Sequence, residues 1–537
     1  MSVSLTRAKI LVIDDFQGMR TMLREFVRSM GVTQVDTAAN GREALSQLRT
    51  SRYDIVICDF NLGPGQNGQQ VLEEARLHDY VGVSTIWVMV TAEKTTDMVM
   101  GAAEVKPDDY LLKPINQSLL ESRLEKLITK KQSLRGIEEA LHIKDYVDAI
   151  AQCDLQLQSQ TVNTQEILRI KGDLLLTVGE LDKAAALFES VLASRNVPWA
   201  KTGLGKVRYY KGNFTGAQEL FQQVLGENRM FMEAADWLVK SFDAMGEGAQ
   251  AQQVLQDAVK LSPNSPTRQK ALGDTAFKNG DMEVAQAAFE KNIRISEFSP
   301  YKSPAVFAGL AKVLTAQDAP QEALKVLARS KGAFKDDPEA AIQTAAVESA
   351  VYQKMGHADK AEAAMAQAQS LMGGLAGKFS PATALEMAQA LLALGKKDQA
   401  CDLMRELVKN NHENAEIAHQ IETVFGSAKL EAEGLALINE SKQEVVNINN
   451  QGVLLAKKGE FLEGAKLLRS AVQNLPNSEV VILNLCGLLI GLLGKEGRND
   501  AVVREIKDLL ERVHTLNPAN KKYHLYAGAL ARAAGGA

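Results

Sequence analysis

The sequence predicts two architectures in one chain. An α/β doubly wound domain of five parallel strands spans residues 1–130, and an all-α repeat array spans 137–525. Three observations carry this. Short β-branched runs alternate with amphipathic stretches over the first 130 residues. No convincing strand follows them. A phrase opening on glycine then returns at Gly179, Gly212, Gly246 and Gly280, at intervals of 33, 34 and 34 residues. At 537 residues the chain is in any case too long for a single core.

The strand-like runs fall at 9–13, 34–38, 54–58, 85–90 and 109–112. Helical stretches follow them at 17–30, 40–50, 69–78, 95–103 and 116–130, the second introduced by an Asn40-Gly41 turn. Such alternation implies a parallel sheet covered on both faces, whose strand carboxyl ends meet on one rim. KILVIDD ends there at Asp14 and Asp15, YDIVICD at Asp59, TIWVMVT at Thr91, and DDYLLKP at Lys113 and Pro114. A lone Asp at a strand end is usually a turn or cap residue; all of these together, in this order, are not. Three converging carboxylates repel one another unless a hard divalent cation such as Mg²⁺ joins them through oxygen ligands. Lys113 can then pair with a phosphoryl group, and the Thr91 hydroxyl can donate to it. A carboxylate in that setting is a competent nucleophile toward phosphorus and yields an aspartyl phosphate.

On these residues, about 7–130 closely resembles the receiver domain of two-component response regulators, the CheY-like fold. The resemblance implies a flavodoxin-like strand order of 2-1-3-4-5. It implies Asp59 as phosphoacceptor, served by Lys113 and Thr91 and loaded from a histidine kinase or phosphotransfer protein. It places Mg²⁺ on Asp15, Asp59 and the backbone carbonyl of Asn61, with Asp14 helping mostly through water. Thr91 and Tyr110 become a switch pair, the Lys113–Pro114 bond is expected to be cis, and Asn61 and Glu93 tune hydrolysis toward a short-lived mark. One departure is visible: the loop from Asp59 to Gly68 is one residue longer than the family's and richer in glycine. It lacks the G-K-[ST] ending of a nucleotide loop.

A short basic joint, TKKQSLRG, follows, with 131–136 as linker and the last helix of the first domain running toward it. Beyond it the glycine phrase recurs with drift at Gly356–Ala361, Gly395–Ala400 and Gly459–Gly464. A small residue often stands seven before the glycine (Gly172, Gly205, Gly273, Ala388, Gly452). A large apolar one stands four after the alanine (Phe188, Phe221, Leu255, Phe289, Met365, Met404). Close helix approach at the first position and packing at the second give the tetratricopeptide repeat pattern, a helix–turn–helix of 34 residues. About nine units are expected, from an abbreviated one at Lys144–Ala149, with the pattern fading around 410–445. Val481 to Leu493 reads as buried all round or as an interface. Trp199, Trp237, Tyr209 and Tyr210 read as packing residues, and 526–537 as a cap or frayed tail.

Composition narrows the function. An apolar fraction of 46% and a charged fraction of 24% are ordinary for a soluble protein, and a net charge of −5 argues against a nucleic-acid surface. No apolar stretch approaches the roughly 18 residues of a membrane span, and the first residues pass straight into a strand rather than a signal peptide. Cys58, Cys153, Cys401 and Cys486 are scattered, as reduced cytoplasmic thiols are. No hydrolase, metalloprotease or nucleotide-binding motif is present, so no enzyme activity is expected beyond Mg²⁺-dependent phosphoryl transfer on the receiver itself. The expected protein is a cytoplasmic response regulator with protein–protein output, in which phosphorylation exposes the array to a protein ligand or changes homodimerisation. A phosphorylation-independent scaffold, or an adaptor delivering a client to a separate enzyme, are the competing readings.

Overall fold

The computed structural model describes residues 5–92, 105–159, 163–375, 379–412, 414–497, 499–517 and 520–535. The chain divides into two compact units, Met1–Val306 and Phe307–Ala537.

The first unit opens with five strands: β1 (Lys9–Ile13), β2 (Gln34–Ala38), β3 (Ile55–Asp59), β4 (Ile86–Thr91) and β5 (Asp109–Leu112). All pairings are parallel and the order is β2-β1-β3-β4-β5. Helices α1 (Gln17–Ser29), α2 (Gly41–Thr50), α3 (Gly68–Leu77) and α4 (Gln117–Gln132) accompany them; the helix expected at 95–103 lies outside the described residues. The side-chain period of two splits the strands between two apolar layers. Ile10, Val12, Ile55, Ile57, Val88 and Val90 pack with Leu23, Val27, Leu120 and Leu124. Leu11, Ile13, Val56, Cys58, Trp87 and Met89 pack on the other side with Leu48, Val71 and Leu72. Every residue of β3 and β4 is therefore buried, which is why those strands read as continuous apolar runs. Asn40 caps α2 by accepting the Glu43 N–H at 3.0 Å.

The joint is short: helix α4 runs on to Gln132, into the stretch read as a linker, and α5 (Arg135–His142) starts after only Ser133 and Leu134. Leu134 is fully buried with Ile137, Ala149 and Cys153, which draws the chain into the next core. The array is also fastened to the rim at the strand amino ends. Arg135 meets Asp54 at 2.8 Å, and Glu138 accepts the Ser84 N–H at 2.6 Å. The buried Lys131 ammonium meets Asp108 at 2.8 Å, the Val83 carbonyl at 2.7 Å and Glu166 at 3.6 Å.

In the first unit, α5 pairs with α6 (Tyr146–Gln158), and α7 (Thr164–Thr177) with α8 (Leu181–Ser194). Next come α9 (Pro198–Tyr210) with α10 (Phe214–Glu227), α11 (Met232–Ala244) with α12 (Gly248–Leu261), and α13 (Pro266–Lys278) with α14 (Met282–Ile295). Helix α15 (Pro304–Ala316) crosses the division between the units. The second unit continues with α16 (Pro320–Ala333), α17 (Pro338–Lys354), α18 (Ala358–Gly374), α19 (Pro381–Ala393), α20 (Lys397–Asn410) and α21 (Ala415–Ser427). It ends with α22 (Glu431–Lys457), α23 (Phe461–Asn474), α24 (Glu479–Glu496), α25 (Asp500–Leu516) and α26 (Lys521–Gly535). The stretch from 526, read as a cap or frayed tail, thus begins inside the last helix.

A residue of positive φ marks each turn within a pair: Lys144, Gly179, Gly212, Gly246, Gly280, Asp318, Gly356, Gly395, Lys429, Gly459 and Gly497. Eleven turns stand among the described residues, against about nine expected. The turn at Lys429 makes the same capping bonds as the glycine turns. Lys429 N–H donates to Gly426 O and Leu430 N–H to Phe425 O, both at 2.9 Å, as Gly179 and Glu180 do to Leu176 and Leu175 at 3.0 and 2.8 Å. The unit at 410–445 is regular in its turn. The pattern fades because lysine replaces glycine there and because one 27-residue helix, α22, serves two successive pairs. The small-residue rule has a direct cause: a Cβ on Gly172 would stand 2.5 Å from the Phe188 ring, and one on Gly205 2.4 Å from the Phe221 ring. In α24, Val481, Ile482, Leu485, Leu488, Leu489 and Leu492 are all buried, so that helix is covered all round. Tyr209 and Tyr210 pack edge-on to Trp237, at 5.4 and 5.6 Å between centroids.

Candidate functional site

Each candidate side chain of the rim is delivered by the end of a strand. β1 runs out at Ile13, and Asp14 stays tied to β2 through its N–H to the Ala38 carbonyl at 3.2 Å. Its carboxylate is 1% exposed and accepts the Phe16 N–H at 2.9 Å, whereas Asp15 is exposed. Arg20 of α1 donates to the carbonyls of Asp14 and Asp15 at 2.6 and 3.0 Å, fixing the turn that carries both acids. Asp59 closes β3, and Thr91 closes β4 and is buried. Lys113 follows β5, its N–H donating to the Thr91 carbonyl at 2.8 Å, and the Lys113–Pro114 bond is cis.

The rim brings these groups together. Carboxylate oxygens of Asp14, Asp15 and Asp59 lie within 4.8 Å of one another. The Lys113 ammonium bridges two of them, at 2.7 Å from Asp59 and 3.1 Å from Asp14. Burial raises the Asp59 pKa; the Lys113 bond and charge and the Asn61 N–H hold it down, and Asp14 adds to the rise. Desolvation works against the Lys113 ammonium, but its bonds to Asp59 and Asp14 outweigh it and raise its pKa. One cation against three carboxylates leaves the cluster net negative. Hard oxygen donors in that number fit a divalent ion such as Mg²⁺.

Tyr110 lies on β5 opposite Met89, its ring against the layer that includes Cys58. Its hydroxyl is buried and has no hydrogen-bond partner among the described residues, and burial, with the neighbouring Cys58, pushes its pKa up to about 12. Asn61 sits at the rim, its side chain accepting the Gly63 N–H at 3.2 Å; Glu93 lies outside the described residues. The long loop turns at Gly63 (φ +73°) and Gly65 (φ +111°) and closes where the Gly68 N–H meets the Phe60 carbonyl at 2.8 Å. The sequence marks Gly68 only as the end of that loop, not for its packing. A Cβ there would stand 2.1 Å from the Asp59 carbonyl oxygen, so glycine is what lets α3 start against the end of β3. Arg20 escaped the sequence reading, because nothing in its spacing marks it.

Comparison with known proteins agrees with this geometry. Residues 10–125 match the response regulator receiver domain. Chemotaxis protein CheY of Pseudomonas aeruginosa is 31% identical over 122 residues, covering 23% of this chain and 97% of that protein. The chain belongs to the response regulator family. CheY-3 of Vibrio cholerae is 30% identical over 122 residues, 23% of this response regulator and 92% of the relative. Among solved structures, CheY4 of Vibrio cholerae is 30% identical over 22% of this chain and 98% of its own, with a TM-score of 0.21. TrrA of Thermotoga maritima, in complex with Mg²⁺-BeF, is also 30% identical, over 22% and 99%, with a TM-score of 0.20. Residues 202–266, 238–300 and 383–411 of the regulator match tetratricopeptide repeats. No helix among its described residues is long and apolar enough to cross a membrane.

Proposed function

We propose that this response regulator accepts a phosphoryl group on Asp59 and passes the phosphorylated state to the tetratricopeptide array, which acts by binding protein. The observation that supports this most is the Lys113 ammonium shared between Asp59 and Asp14, on a rim where three carboxylates converge. Asp14, Asp15, Asp59 and the Asn61 carbonyl would hold Mg²⁺, which supplies charge neutralisation for the incoming phosphoryl oxygens. An Asp59 oxygen forms the new O–P bond as the P–N bond of a phosphohistidine donor breaks, the imidazole nitrogen keeping the bonding pair. Lys113 then turns from Asp59 to the phosphoryl oxygens, and Thr91 donates its hydroxyl to them. Tyr110 follows; a buried, unpartnered hydroxyl gains by exchanging its position for one with a partner.

The donor is a histidine kinase or a phosphotransfer protein, the site of action is the cytoplasm, and the receiver catalyses only its own loading and hydrolysis. Asn61, at the loop, tunes how long the mark lasts. The array's ligand is a protein, with a second copy of this chain among the candidates. Recovery of partners from the native cytosol on the Asp59→Ala chain and on a beryllofluoride-loaded chain tests the reading. Different partners, or different strengths, are expected; identical recovery on both would leave a phosphorylation-independent scaffold as the function.

A further inference from the structure

The segment entering β5 reads Val105–Lys106–Pro107–Asp108. Lys106 has φ of +49°, a left-handed conformation uncommon for a residue with a side chain, and it directly precedes a proline. Arg76 of α3 holds it there, donating to the carbonyl of Val105 and, at 2.9 Å, to that of Lys106. The Lys106 ammonium then reaches the array. It stands 3.7 Å from a Glu233 carboxylate oxygen on α11 and 5.9 Å from the centroid of the Phe231 ring just before that helix.

Glu233 is the centre of a charge cluster drawn from three helices. Lys206 of α9 meets it at 2.6 Å and Arg169 of α7 at 3.6 Å, while Asp173 of α7 lies 3.8 Å from Lys206. The array does not need a further lysine for its own charge balance, because Arg169 and Lys206 already face Glu233 and Asp173. The receiver gains little either: Lys106 is half-exposed, and ion pairs of that kind are weak. A weak contact made from an unfavourable backbone conformation is suited to release. Lys106 also shares one short segment with the reacting site. Lys113 at its far end holds Asp59 and Asp14. Asp108 in between accepts the Trp87 N–H at 2.8 Å and the Lys131 ammonium at 2.8 Å.

We propose that Glu233, Asp173 and Phe231 form a lysine-accepting site on the array, occupied in cis by Lys106 of the receiver, and that loading of Asp59 withdraws Lys106 so that a lysine-bearing segment of a partner protein takes its place. This rests on the phosphorylation reading above and names what that state uncovers. The occupant follows from the present one: a lysine between an apolar residue and a proline, facing a carboxylate and an aromatic ring. Exchanging one lysine for another keeps the same contacts, so a modest bias in the receiver suffices to switch the site.

Zero-length carbodiimide cross-linking of the full chain, read by mass spectrometry, tests the cis contact. A Lys106–Glu233 amide is expected with Mg²⁺ alone, falling at least fivefold on addition of beryllofluoride, with no fall in Asp59→Ala. Beryllofluoride binding is followed separately by fluorine NMR. Failure to load would overturn the phosphorylation reading and this inference with it. Loading with an undiminished cross-link, or no cross-link before loading, would overturn this inference alone. A labelled, end-blocked peptide Ala-Glu-Val-Lys-Pro-Asp-Asp serves as the lysine probe. It is expected to bind the Lys106→Ala chain about tenfold more tightly than wild type, and to lose that gain when Glu233→Gln is added. Equal binding to wild type and Lys106→Ala would refute the site.

Discussion

Asp59 is held in a position where its charge is costly before any ligand arrives. It is 7% exposed, beside a second buried carboxylate, with one ammonium between them. Its folded pKa is raised, so its contribution to stability is greatest below that pKa and is lost as pH rises through it. At neutral pH the ionised group therefore works against folding, and Asp59→Asn removes the charge while keeping an acceptor for Lys113. Without divalent cations, that variant should denature at a higher temperature than wild type. The gain should shrink as pH falls through the range where Asp59 takes up its proton. Mg²⁺ should stabilise wild type more than Asp59→Asn, because it replaces the missing positive charge. The acidic, hydroxyl and lysine residues of the rim were legible because each terminates an apolar run. The packing of Gly68 and the role of Arg20 were not, since the first is defined by a backbone approach and the second by bonds to carbonyls. Gly68→Ala should destabilise the receiver by about 2 kcal/mol, because the obstacle is backbone rather than a movable side chain.

At the scale of elements, the turn residue decides whether a repeat can be read. Seven of the eleven positive-φ turns fall on glycines that also open a recognisable phrase. Lys144 and Asp318 are legible only through the alanine and apolar positions that follow, and with Lys429 at its turn the pattern fades around 410–445. A left-handed residue with a Cβ costs roughly 1–2 kcal/mol, partly offset by the chain entropy that glycine would add. Lys429→Gly should thus stabilise the second unit by about 0.5–1 kcal/mol, seen as a higher urea midpoint. Gly205→Ala should do the reverse in the first unit. Its Cβ would meet the Phe221 ring at 2.4 Å, and overpacking of that kind costs about 1–3 kcal/mol. The sheet was read to within a residue at every strand; in β3 and β4 full burial on two faces writes an unbroken apolar run, whereas β2 and β5 at the sheet edges are only partly buried.

Across the whole first unit, the array grips the receiver at the amino ends of β3, β4 and β5 through residues next to Asp54, Ser84 and Asp108. The carboxylate rim, with Asp14, Asp59 and Lys113, lies at the opposite ends of those strands, away from this attachment. This attachment was invisible in the sequence, where the basic stretch around 129–136 reads as a joint; its meaning lies in carboxylates more than twenty residues away. Lys131 is its centre. Lys131→Met should leave Asp108 without its ammonium while Glu166 keeps Lys130 at 2.9 Å, costing about 3 kcal/mol, and should raise hydrogen exchange at the start of β5. Exposed pairs such as Arg135–Asp54 should matter far less.

The central claim is that Asp59 is a phosphoryl acceptor. Incubation of the full chain with acetyl phosphate and Mg²⁺, followed by intact mass and peptide mapping, tests it most directly. One base-labile, hydroxylamine-sensitive phosphoryl group is expected on the peptide containing Asp59, absent without Mg²⁺ and absent in Asp59→Ala. An unmodified Asp59 under those conditions, or equal labelling of Asp59→Ala, would contradict it.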